Sequence, residues 1–144
     1  MQDESAQGFS CVKKDLYLAR KIAAACVYER MCALLLDGKS AAPFFGGLGI
    51  SSIAIYGVEG IGRRFYEYMK KSGVRVDCFI DRNWRSYDQN AFAVVGLDGM
   101  PGREFGAVVI AVPEHQCAIM RDLLAHGLQP ERILTVSQVL FGIE

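Results

Sequence analysis

One stretch of the sequence, residues 52–81, follows an order of elements that few folds accept. An apolar run, Ile53-Ala-Ile-Tyr56, leads into the glycine turn Gly57-Val-Glu-Gly-Ile-Gly62, and a second apolar run ends at Asp81. The residues between the turn and the second run repeat an apolar side chain every four positions, which predicts an amphipathic helix. Strand, glycine turn, helix, strand and acid, in that order, are typical of the first half of a dinucleotide-binding βαβ unit.

The βα alternation continues to the end of the chain. A parallel strand covered on both faces is apolar throughout, as is Ala107-Val-Val-Ile-Ala-Val112. Right-handed crossovers between the successive strands predict an α/β fold, a Rossmann-like doubly wound parallel sheet of order 3-2-1-4-5. The predicted strands are 52–56, 75–80, 92–95, 107–112 and 132–136, and the predicted helices between them are 60–71 and 114–126, with a short C-terminal tail.

A long helix is predicted ahead of this unit. Residues 13–37 contain neither Gly nor Pro, and Gly38 suits the C-terminal stop. The apolar residues of this helix occupy more than one side, so it needs cover from more than one direction. Packing on its own domain and pairing with a second chain, as a homodimer through residues 13–37, both satisfy that need. The glycine-rich stretch that follows is read as a linker, which divides the chain into 1–51 and 52–144.

The glycine turn departs from the dinucleotide-binding pattern at one position. Gly57 and Gly62 stand at the first and third glycines of the pattern, whereas Glu59 takes the place of the second. The second glycine lets the backbone approach a pyrophosphate, so a carboxylate there crowds and repels a diphosphate. Gly60 retains part of the turn's freedom, and Glu59 has an alternative place at the helix N-terminus, where the helix dipole favours an anion. NAD or NADP is one candidate ligand of this turn, and an empty or altered pocket, which Glu59 favours, is the other.

Further candidate residues follow the ends of the second and fourth strands. Asp81 stands where an acid binds the ribose hydroxyls, and it equally suits an Asx-turn with the next residues. Arg82 is a candidate for an adenine or a 2′-phosphate contact, or a solvated turn arginine. Val112 and Pro113 end the fourth strand, and His115 is the one acid/base candidate, although a capping role is more common for such a histidine. The cofactor-binding set is Gly57, Glu59, Gly60, Ile61, Gly62, Asp81, Arg82, Val112 and Pro113, with no catalytic residue assigned.

Composition excludes several classes of protein. Basic and acidic residues balance at 16 each, so no basic field is available for nucleic acid. Five cysteines lack any CxxC pair, which predicts reduced, mostly buried thiols and no metal site. No apolar run approaches the ~18 residues of a membrane span, and the acidic, polar N-terminus is unlike a signal peptide. A cytoplasmic protein is expected.

The chain resembles a family of small bacterial Rossmann-like domains over residues 52–136. The resemblance is carried by Ile53 to Gly73, by Cys78-Phe-Ile-Asp-Arg-Asn83, by Val108-Val-Ile-Ala-Val-Pro113 and by His126-Gly-Leu-Gln-Pro-Glu-Arg-Ile133. Such domains precede nucleotide-sugar epimerases, dehydratases and sugar acetyltransferases, or are fused to glycosyltransferases of surface-polysaccharide synthesis. Where relatives are full enzymes, their catalytic residues lie in a further domain.

Three functions follow from these observations, in order of preference. The first is a nucleotide- or nucleotide-sugar-binding module, accessory to bacterial polysaccharide synthesis and not a complete enzyme alone. The second is an interaction module with a degenerate pocket, whose long helix binds a partner. The third is an NAD-dependent sugar oxidoreductase that uses His115.

Overall fold

The fold is an α/β sandwich around one parallel sheet. A computed structural model describes the backbone of residues 4–144 and the side chains of residues 12–144. Its five strands lie in the order β3-β2-β1-β4-β5, and every pair is parallel, which confirms the predicted order. The strands are β1 (Ser52–Tyr56), β2 (Arg75–Ile80), β3 (Val94–Val95), β4 (Ala107–Ile110) and β5 (Ile133–Thr135).

Helices cover both faces of the sheet. They are α1 (Glu4–Leu36), α2 (Ala42–Gly47), α3 (Ile61–Lys71), α4 (Gln116–Ala125) and α5 (Val136–Gly142). Helices α1, α3 and α5 pack on one face, where Val27, Phe65 and Leu140 are buried together. Helix α4 covers the other face through Ile119 and Leu123. Strands β1 and β4 lie between these layers and are buried along their whole length, which explains their apolar sequences.

Several elements differ from the sequence predictions. Helix α1 begins at Glu4, nine residues before the predicted start at residue 13, and β4 ends at Ile110, before the predicted end at residue 112. The predicted linker contains the short helix α2, which is held in the core by the ring of Phe45. The predicted C-terminal tail is the helix α5. The predicted helix 114–126 begins as a single 3₁₀ turn, Pro113–His115, before α4.

Helix α1 runs from the carboxyl edge of the sheet to the amino edge. At the amino edge, the Tyr68 hydroxyl donates to the carbonyl of Lys39 (2.7 Å), and the amide of Ala41 donates to Ser72 Oγ (3.0 Å). The C-terminal half of α1 is anchored to the C-terminal segment of the chain, because the Arg30 guanidinium donates to the carbonyls of Leu140 (3.1 Å) and Ile143 (2.9 Å). Residues 12–23, here called the α1 arm, are exposed throughout and extend from the carboxyl edge. None of the described helices combines the length and apolar character needed to cross a membrane.

The cysteines are less buried than predicted. Cys26, Cys32 and Cys117 are free and exposed, because each lies on the outer side of a helix. Cys78 is buried in β2, and its burial raises the pKa of the thiol to about 11. Cys11 lies outside the residues whose side chains are described.

Candidate functional site

The glycine turn between β1 and α3 is packed too tightly for other residues at two positions. A Cβ on Gly62 would stand 1.7 Å from the carbonyl oxygen of Gly57, so the start of α3 can rest on the turn only without a side chain there. Gly57 has a φ of +100°, which side chains disfavour, and a Cβ there would lie 2.4 Å from Val112 Cγ2. These are the tight turn and the close helix–strand approach that the first and third glycines provide in dinucleotide-binding units.

Asp81 joins the glycine turn to the end of β2. Its Oδ2 accepts a hydrogen bond from the amide of Val58 (3.1 Å), and its Oδ1 accepts one from the amide of Asn83 (2.8 Å). The second bond is the Asx-turn that the sequence allows. The first fixes the turn against β2, so the Asp81 carboxylate lies at the carboxyl edge beside the glycine turn.

The Glu59 side chain does not cap the N-terminus of α3. Its Oε1 accepts a hydrogen bond from the hydroxyl of Tyr87 (3.3 Å), which follows β2. Burial, together with the carboxylates of Asp81 and Glu59, raises the pKa of Tyr87 to about 12, so its hydroxyl stays a donor at neutral pH. No described side chain caps the N-terminus of α3, and its first turn holds no acidic residue. The Gly62 amide donates to the carbonyl of Glu59 (3.3 Å), so the amides of Ile61 and Arg63 are the ones available to an anion.

A cleft of about 340 Å³ lies over this turn, and we call it the glycine-loop cleft. It combines seven of the nine residues predicted from the sequence with three from α1 and two others. The predicted residues are Gly57, Glu59, Gly60, Ile61, Asp81, Val112 and Pro113; the others are Lys21, Ala24, Tyr28, Ala111 and Glu114. Of the two remaining predicted residues, Gly62 is buried beneath the cleft and Arg82 lies outside it.

Arg82 belongs to a neighbouring cleft of about 320 Å³ on the α4 side of the same edge. Its guanidinium lies 3.4 Å from Asp122 Oδ2, which links the end of β2 to α4. Tyr56 also lines this cleft, and burial raises the pKa of its hydroxyl, so Tyr56 is neutral at physiological pH. His115 lies exposed on the rim, at the start of α4, and its side chain does not cap that helix.

The α1 residues of the cleft are absent from the sequence-based set. Lys21, Ala24 and Tyr28 follow one another at helical spacing, so a shared face could be expected from the sequence. Which surface that face meets depends on how α1 packs against residues far along the chain. No local signal supplies that information.

The site contains no recognisable metal centre among the residues described, since no group of three or more His, Cys, Asp or Glu side chains comes together. The cleft instead offers glycine backbone, helix amides, carboxylates, a lysine and a tyrosine hydroxyl. A search with protein-family models and a search of curated proteins both find no match to this chain.

Proposed function

We propose that this chain is a nucleotide- or nucleotide-sugar-binding module. The observation that carries the proposal is the bond between the Val58 amide and the Asp81 carboxylate (3.1 Å). It brings a glycine turn, a helix N-terminus and an acid together where β1 and β4 diverge, and ligands of open parallel sheets bind at such switch points.

The glycine-loop cleft fits the phosphate part of such a ligand. Gly57 and Gly62 bring the backbone and α3 close together, and the first-turn amides of α3 carry the partial positive charge that binds phosphate. The volume of about 340 Å³ lies within the usual range for small-molecule sites. In this proposal the Asp81 carboxylate binds ribose hydroxyls, and a dinucleotide such as NAD would have its pyrophosphate at the glycine turn.

The biological setting is inferred from the resemblance described above. A domain of this kind would present a nucleotide or a nucleotide sugar to enzymes of bacterial polysaccharide synthesis and would supply no complete active site alone. The UDP-sugars are therefore the ligands to compare with NAD and NADP.

A thermal-shift series tests the proposal. The protein is heated with NAD, NADP, UDP-sugars, coenzyme A or S-adenosylmethionine, one at a time. One class should raise the melting temperature, because a ligand at 100 times its Kd stabilises the folded state by about 2.7 kcal/mol. An unchanged melting temperature with all of them would overturn the proposal.

A second candidate function is self-association through the α1 arm. Val12, Leu16, Tyr17, Leu18 and Ile22 are each more than half exposed. A helical segment without packing is marginal in water, so this arm gains stability from a second surface. We infer that the surface is the arm of a second copy, because an isologous pair covers the same apolar side chains on both chains.

Light scattering after size-exclusion chromatography tests the self-association. The wild-type chain should run as a dimer, and Leu16→Glu combined with Ile22→Glu should give a monomer. Leu124→Glu is the control, because Leu124 is exposed on α4, away from the arm. A wild-type monomer at high concentration would contradict this candidate and leave nucleotide binding unaffected.

A further inference from the structure

We propose that α1 forms a wall of the ligand site and that Lys21 is the cation that binds the ligand's phosphate. This inference rests on the proposed nucleotide binding and extends it to a helix outside the βα unit. Lys21, Ala24 and Tyr28 line the glycine-loop cleft together with Gly57 and Gly60. A Cβ on Gly60 would lie 3.5 Å from the Tyr28 hydroxyl, so α1 comes directly over the turn.

The position of this wall is fixed by the anchored half of α1. Val27, Met31 and Leu34 are buried against α3 and α5, and Arg30 is held by two backbone carbonyls. Lys21 stands less than two turns before Val27, so its backbone is placed by the same packing. Its Nζ lies 5.4 Å from the ring centroid of Tyr17, one turn earlier on the helix, and Lys21 itself lines the cleft.

The charges around the cleft give Lys21 its importance. Three carboxylates line the cleft, those of Glu59, Asp81 and Glu114, whereas Lys21 is the one cationic side chain among its described lining residues. Asp81 is engaged by the Val58 and Asn83 amides, and Glu59 by the Tyr87 hydroxyl. A phosphate entering here is opposed by those charges, and Lys21 and the α3 amides are the groups that offset them.

Calorimetric titration with NAD and with UDP-glucose, which share a diphosphate, tests this role. Lys21→Gln should weaken the binding of whichever probe binds the wild type by about tenfold, and Lys21→Glu should weaken it further. Arg20→Gln is the matched control, because it removes a neighbouring exposed charge that does not line the cleft. Its Kd should stay within about twofold of the wild-type value.

The salt dependence adds a second readout. The Kd of the wild type should rise with ionic strength more steeply than that of Lys21→Gln, because the variant has lost a phosphate contact. If Lys21→Gln and Arg20→Gln bind like the wild type, the role of Lys21 is overturned while nucleotide binding stands. If the wild type binds neither probe and no ligand of the thermal-shift series, both proposals fall.

Discussion

Among the glycines, Gly62 has the least room for a side chain. The point where its Cβ would stand lies 1.7 Å from the Gly57 carbonyl oxygen, and backbone cannot yield as a flexible side chain can. Gly62→Ala should therefore lower the free energy of unfolding by about 1–3 kcal/mol or more, as overpacking does. Urea titration measures this loss.

Gly102→Ala is the control for that substitution. A Cβ at Gly102 would meet nothing within 4 Å, and its φ is not positive. Its free energy of unfolding should change by less than about 0.5 kcal/mol. Equal losses in the two variants would show that the close approach at Gly62 is not what destabilises.

Tyr87 makes the stability of the protein depend on pH in the alkaline range. Burial and the nearby carboxylates of Asp81 and Glu59 raise the pKa of Tyr87 from 10.0 to about 12. Between these two values the unfolded chain has released the Tyr87 proton while the folded chain still holds it. The contribution of Tyr87 to stability is therefore complete below pH 10 and declines as the pH rises towards 12.

The corresponding measurement is the free energy of unfolding of wild type and Tyr87→Phe across that range. The difference between the two proteins should shrink with rising pH. A difference that stays constant or grows would contradict the assignment. Tyrosinate absorbance gives an independent check, because the Tyr87→Phe variant should lack one late-titrating phenol.

Glu59 occupies the second glycine position of the turn, and its replacement separates charge from backbone freedom. Glu59→Gln removes the negative charge, whereas Glu59→Gly also frees the backbone to approach a pyrophosphate. NAD affinity should rise by about tenfold in Glu59→Gly, which corresponds to about 1.4 kcal/mol. If NAD affinity rises less in Glu59→Gln than in Glu59→Gly, the difference between the two variants is due to backbone freedom. A folded Glu59→Gly protein that binds no better would show that Glu59 does not limit access.

At the scale of elements, the sheet was accessible from the sequence because its signals are local. Buried parallel strands are visible as apolar runs, and glycines mark the ends of the helices. Right-handed crossovers between the strands then allow one strand order. The sequence analysis predicts a tail where the structure has helix α5, although the residues of its capping box, Thr135 and Gln138, are present. Seven residues that follow a strand directly carry too weak a helical pattern to be separated from a tail.

The capping box of α5 makes its own prediction. Thr135 Oγ1 accepts from the Gln138 amide (3.1 Å), and the Gln138 side chain accepts from the Thr135 amide (2.8 Å). Thr135→Ala should lower the free energy of unfolding by about 1 kcal/mol. Ser137→Ala, inside the same helix and outside the box, should change it much less in the same urea titration. A similar loss from both variants would contradict the capping role.

The candidate site was only partly accessible from the sequence, for a different physical reason. Gly57 and Gly60 belong to a recognisable glycine turn, and Asp81 is an acid at the end of the second strand. The fold brings all three to one cleft. Lys21 and Tyr28 reach that cleft because α1 packs across the layer formed by α3 and α5. That contact joins residues far apart in the chain, so it depends on the assembled fold and not on local pattern.

At the scale of the whole molecule, stability should be uneven along α1. Its C-terminal half shares a core with β1 and β4, whose residues Ile53, Ile55 and Val109 are completely buried. The α1 arm makes no comparable packing, since all of its residues are exposed. A helical segment with little tertiary burial opens locally long before the sheet does.

Amide hydrogen exchange at two protein concentrations tests this difference together with the self-association. In dilute protein the amides of residues 12–20 should exchange rapidly, while those of β1 and β4 exchange only through global unfolding. At high concentration the arm should become protected, because a second copy covers Leu16, Leu18 and Ile22. Protection of the arm that is equally strong in the monomer would mean that the helix is stable without a partner. The exposed apolar side chains would then need another explanation than pairing between two copies.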